Sequence, residues 1–261
     1  MRRAAGIAAA FLLCGCAKYS VRDADLVRLE RGELVPGQVV FTCHGMLYDL
    51  GFPWDFRLRD RLSDGTGGRL AVVISYGSDA TGVWFNWGSR APGLVLAALA
   101  DEIEDLHRSS GCPASLSLRA VGFSAGCEAI LEAADRMRAA RLERAVLFNS
   151  SSFAFSSEPR RLIEEGRIGR IENYWSPFDL VTLLAPLGAG QFGLRPTGEG
   201  IENRCLWNTH LPPLFSSGLE RMKKALVEGP AAPGPSHTCG ADERYRRALA
   251  ELLRRGRGRS R

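Results

Sequence analysis

Six short runs of apolar and β-branched residues, interleaved with longer stretches of helical spacing, restrict this chain more than any other feature. Val39 to Thr42, Leu70 to Tyr76, Leu116 to Val121, Ala145 to Phe148, Ile171 to Trp175 and Asn203 to Trp207 read as strands. Asp55 to Leu62, Leu94 to His107, Ala125 to Ala140 and Leu219 to Val227 carry helical patterns between them. Strands alternating with helices imply βαβ units, and therefore an α/β protein with a mainly parallel central sheet and helices on both faces. Ligands of such sheets gather beyond the carboxyl ends of the strands, so that rim is where chemistry is expected.

Composition agrees with one globular body. The 261 residues are 45% hydrophobic and 24% charged, which excludes general disorder. A chain of this size buries a core without metal or disulfide staples. No apolar run reaches the ~18 to 20 residues that a membrane-spanning helix needs.

The net charge of +5 is concentrated at one end. Residues 241–261 hold eight Arg against three acids, a surplus equal to the whole excess. The body preceding them has no basic groove, so a nucleic-acid partner is not expected. The Arg-rich end from Arg254 reads as a solvated terminus, with contact to anionic lipid headgroups as the alternative.

At the amino terminus Arg2 and Arg3 precede a ten-residue apolar stretch, Ala4 to Leu13, and residues 1–15 read as an export signal. Leu13-Cys14-Gly15-Cys16 resembles a bacterial lipobox, which implies that Cys16 becomes the acylated first residue of an envelope lipoprotein. No Asp follows Cys16, and by the same resemblance this favours the outer membrane in a host with two. Residues 16–37 read as a spacer and early strand, 38–228 as the main domain, and 229–261 as a Pro/Gly-rich linker with a basic carboxyl-terminal helix, Glu243 to Leu253, and tail. Five further cysteines, Cys43, Cys112, Cys127, Cys205 and Cys239, permit disulfides outside the cytoplasm. Cys205 with Cys239 is the preferred pair, although connectivity stays open. No C-x-x-C or H-E-x-x-H spacing points to a metal, and no cofactor is expected.

The chemistry centres on Gly122-Phe123-Ser124-Ala125-Gly126, set between an apolar strand and a helical run. A Ser on a sharp strand-to-helix turn presents its hydroxyl above the sheet, and only small residues fit two places to either side. The pentapeptide alone is a weak signal, and its placement strengthens it.

Here the chain resembles the α/β-hydrolase superfamily, over about residues 38–228. His44-Gly45-Met46-Leu47, after the first predicted strand, looks like the oxyanion loop of bacterial true lipases. Phe123 stands where their elbow commonly has His. The resemblance implies oxyanion N–H donors from Met46 and Ala125, with His44 packing the loop. Each such donor is worth ~3 to 4 kcal/mol in the transition state. A Ser nucleophile needs a base and an orienting carboxylate, in the superfamily order Ser, acid, His. Asp179 follows the strand Ile171 to Trp175 and a Pro-marked turn, with a helix N-cap as its alternative role. Only His210 and His237 follow Ser124, and the position of His210 after the last strand favours it. Glu172 and Glu202 stand at strand beginnings, at the wrong end, and His107 reads as a solvated residue near a helix end.

Trp84-Phe85-Asn86-Trp87 either lines an acyl pocket, faces lipid, or plugs the space under a loop. The resemblance implies a membrane-tethered serine hydrolase acting on small-molecule or lipid esters. The competing readings are a non-catalytic envelope lipoprotein of the same fold that binds a ligand or partner, and a thioesterase or amidase using the same triad.

Overall fold

The computed structural model describes residues 17–44, 54–63, 68–76, 90–112, 115–148, 150, 158–175, 201–205, 223–227 and 240–257. The strands are β1 (Ala17–Ser20), β2 (Gln38–Cys43), β3 (Arg69–Tyr76), β4 (Ser117–Phe123), β5 (Arg144–Phe148), β6 (Ile171–Trp175) and β7 (Glu202–Cys205). They form one sheet in the order β1-β3-β2-β4-β5-β6-β7. β1 is antiparallel to β3, and every other pairing is parallel. The expected mainly parallel sheet is therefore present.

Alternation along β2 shows how the two faces arise. Val39, Phe41 and Cys43 enter the larger core cluster, whereas Val40 enters the smaller one. The larger is covered by α1 (Asp23–Arg31), α3 (Arg90–Ser110), α4 (Ala125–Arg136), α5 (Glu158–Glu164) and α6 (Gly240–Arg257). The smaller lies under α2 (Trp54–Ser63) and a helical stretch at 223–227, through Leu58, Leu62, Ala225 and Leu226. Strands buried from both sides are near-continuously apolar, which is why their sequence signal was strong.

Three helical expectations are revised. The stretch read as spacer and early strand contains β1 and also helix α1, which ends on Gly32 in the left-handed region at φ 83°. A second unforeseen helix is α5, only seven residues long. The helix expected over Ala125 to Ala140 stops at Arg136. Its continuation is intercepted by Asp101 of α3, whose carboxylate accepts hydrogen bonds from the backbone N–H groups of Arg138, Ala139 and Ala140 at 2.8 to 3.0 Å. A tertiary acceptor here outcompetes helix propagation.

The amino-end rim of the sheet is bound by charge. Glu172 is 1% exposed and lies 3.4 Å from Arg144 and 3.5 Å from Arg170. Arg119 bonds Glu143 at 2.8 Å. Arg119 and Arg144 also donate to the carbonyls of Leu226 and Ala225, pinning the 223–227 stretch. α6 packs against α1 and α3: Arg246 donates to the Leu29 carbonyl at 2.6 Å, and Arg254 pairs with Glu30. Among the described residues no helix is long and apolar enough to cross a membrane.

Candidate active site

β4 delivers Ser124 to the carboxyl-end rim, and α4 begins at the next residue. The backbone of Ser124 sits at φ 53°, ψ −122°, the only non-glycine at positive φ among the described residues. An L-residue held there costs ~1 to 3 kcal/mol, so the surroundings must enforce it. They do so through two hydrogen bonds: the Ser124 N–H donates to the Phe148 carbonyl at 2.9 Å, and the Cys127 N–H donates to the Ser124 carbonyl at 3.0 Å. The serine is thus stapled between the end of β5 and the first turn of α4, and its side chain is partly exposed.

Both flanking glycines are sterically required. A Cβ on Gly122 would lie 2.8 Å from the Cys127 nitrogen and from the Gly126 carbonyl. A Cβ on Gly126 would lie 2.1 Å from the Cys43 carbonyl oxygen and 2.8 Å from that of His44. The first turn of α4 therefore rests directly on Cys43 and His44 at the end of β2. Ala125 is buried at the amino end of α4, where backbone N–H groups lack intrahelical acceptors. His44 is 1% exposed.

Two thiols and a carboxyl group lie buried close to this turn. Cys43 and Cys127 are buried free thiols. Burial, and secondarily the neighbouring Cys127 and Asp55, pushes the Cys43 thiol well up. Burial also raises Cys127, whose Sγ contacts the Phe148 carbonyl at 3.5 Å. Asp55, in the first turn of α2, is fully buried, and burial pushes its carboxyl up to about 7. One of its oxygens accepts from the Phe56 N–H at 2.9 Å, while the other has no partner among the described residues. The sequence did not single out Asp55, since an Asp in a helix's first turn is ordinarily a solvated cap.

Among the predicted site residues, Gly122, Ser124, Ala125 and Gly126 come together in one turn. Cys16, Met46, Asp179, His210 and His237 lie outside the described residues, as do Cys239 and the aromatic segment Trp84 to Trp87. Cys205, the expected partner of Cys239, ends β7 as a free thiol. Glu172 and Glu202 face each other across β6 and β7 near the strand beginnings, away from Ser124. His107 is not simply solvated: its ring stands edge-on to Tyr245 at 5.2 Å.

No protein-family model matches this chain, and no curated protein matches its sequence. Solved structures do. A Xanthomonas campestris protein described as a lidless member of the α/β serine hydrolases is 15% identical, with a TM-score of 0.51 over 83% of this chain and 90% of that one. An α/β serine hydrolase homologue from Coxiella burnetii is 14% identical, with a TM-score of 0.44 over 73% of this chain and 83% of that one. The first likeness, with the sheet order and its antiparallel first strand, identifies the fold as that of the α/β hydrolases.

Proposed function

We propose that this chain is a serine hydrolase that cleaves carboxylic esters, held to the bacterial envelope through an acylated Cys16. The observation that carries this reading is the strained backbone of Ser124, at the strand-to-helix junction beyond the carboxyl end of β4. A packing role for a serine does not require positive φ, two sterically obligatory glycines and a hydrogen bond from its own N–H to the neighbouring strand. Presentation of a nucleophile does. The likeness to the lidless serine hydrolase supports the same reading.

In this mechanism the Ser124 hydroxyl attacks the ester carbonyl while His210 takes its proton. Asp179 orients the imidazole and stabilises its cation. The N–H groups of Ala125 and Met46 hold the developing oxyanion. His210 then returns the proton to the departing alkoxide, and water, activated by the same imidazole, releases the acid from the acyl-enzyme.

A fluorophosphonate probe tests this directly. The wild-type chain should be labelled and the folded Ser124→Ala chain spared. If both stay unlabelled while folded, the protein is not a serine hydrolase, and a binding role on the same fold replaces it.

A further inference from the structure

The strand register aligns the proposed anchor with the proposed nucleophile. Ala17 pairs with Tyr76, Ile74 with Cys43, and Cys43 with Gly122. Two residues on from Ile74 and Gly122 are Tyr76 and Ser124. Ala17, Tyr76 and Ser124 therefore stand in one row along the carboxyl-end rim. β1 runs against the other strands, so the end at which the chain enters the sheet is the end at which the catalytic turn leaves it.

β1 and β4 are three places apart in the sheet, ~14 Å at the usual strand spacing. Cys16 is covalently next to Ala17, a Cα step of ~3.8 Å. Ala17 already belongs to β1, so an acyl group on Cys16 has no slack by which the body can roll over. The opposite rim carries solvent-exposed ion pairs: Glu143, Arg170 and Arg204 are each nearly half exposed. Those charges favour water.

We propose that acylated Cys16 holds the Ser124 rim against the bilayer, so that the substrates are esters presented by that membrane rather than solutes. This rests on the hydrolase reading for its substrate class, but the orientation itself does not. A short anchor fixes which side of the protein meets lipid. The effective concentration of bilayer-borne ester at Ser124 is then set by geometry rather than by diffusion.

The test uses the full lipidated chain in phosphatidylcholine vesicles containing a nitroxide-headgroup lipid, with Cys112, Cys205 and Cys239 replaced by Ser. A thiol-reactive fluorophore is placed at Ser124→Cys or at Glu164→Cys. Glu164 is exposed and ends α5, next to the 167–169 segment that bonds Leu142 at the opposite rim. The rims are ~20 Å apart. Quenching should be several-fold stronger at the first position, and a ~20-residue Gly/Ser linker between Cys16 and Ala17, whose r.m.s. span is ~25 Å, should abolish the difference. With the native tether, equal quenching or stronger quenching at Glu164→Cys overturns the orientation, as does mass spectrometry showing no acyl group on Cys16. With the native Ser124, the linker should lower turnover of a vesicle-borne ester several-fold while leaving that of a soluble ester unchanged. An unchanged ratio overturns the substrate class. Loss of fluorophosphonate labelling with the quenching difference intact would remove the hydrolase reading and leave the orientation standing.

Discussion

The two rims of the sheet are built on opposite principles. At the amino-end rim, rigidity comes from charge: Glu172 is enclosed by Arg144 and Arg170, while Arg119 joins Glu143 and the Leu226 carbonyl. At the carboxyl-end rim it comes from steric exclusion, with backbone packed on backbone at Gly122 and Gly126 over neutral Cys43 and Cys127. Charge holds positions without requiring unusual torsions. Steric confinement sustains a strained torsion and leaves a low-dielectric floor, where a developing oxyanion is stabilised most by fixed dipoles. The rim that bears the proposed nucleophile is thus the one held by backbone packing, while Asp55 beside it has its carboxyl pushed up to about 7 by burial.

That contrast is open to direct attack. The largest expected effect is on the strained side: Ser124→Ala should lower ester turnover by on the order of 10³ to 10⁶, measured on a short nitrophenyl ester. Ser124→Gly should be equally inactive yet more stable than Ser124→Ala by ~1 kcal/mol, because glycine accepts positive φ, as denaturant melts would show. Gly126→Ala comes next. A methyl 2.1 Å from the Cys43 oxygen forces the backbone apart, so stability should fall by ~3 kcal/mol or more and activity should fall with it. On the charged side, Glu172→Ala should cost ~3 to 5 kcal/mol by leaving buried Arg144 uncompensated. Its fluorophosphonate labelling rate should hold at temperatures where the variant remains folded.

The smaller effects concern pH and surface charge. Asp55 has its folded pKa raised from 3.8 to about 7. Between those values the unfolded chain loses a proton that the folded chain keeps, so this group's stabilising contribution is complete below pH 3.8 and declines as pH rises to about 7. Asp55→Asn removes that dependence and keeps the acceptor for Phe56. It should therefore raise stability at pH 8 by ~2 to 4 kcal/mol relative to wild type, with a smaller gain at pH 5, read from urea midpoints at both values. Arg161→Ala, which breaks exposed pairs with Asp135 and Glu165, should change stability by less than ~1 kcal/mol.

Most of the buried parallel strands were legible from sequence because both of their faces are apolar, as at Leu70 to Ile74, and Ile171–Trp175 was anticipated residue for residue although Glu172 and Asn173 are buried within it. α1 was not, because only Leu26 and Leu29 anchor its apolar side while Val27 faces solvent, and the surrounding charges hide so thin a stripe. α5 buries just Pro159 and Leu162. The end of α4 was illegible for a different reason: it depends on Asp101, a residue of another helix. In the candidate site, Ser124 and Gly122 were readable because their requirement is local, and Gly126 because it completes the G-x-S-x-G spacing. The contact of Gly126 with Cys43 and the burial of Asp55 are not local, and no spacing along the chain announces them.

The hydroxyl of Tyr19 donates to the carbonyl of Leu252 at 2.9 Å, bridging 233 positions of sequence. A polypeptide threaded or synthesised from its amino end thus offers its first strand long before the helix that shields it exists. Until residue 240 and beyond arrive, the outer strand and α1 lack the cover that α6 gives them. A chain interrupted before α6 would leave Tyr19 without this acceptor and the apolar side of α1 without its partner helix, open to any protease or chaperone it met.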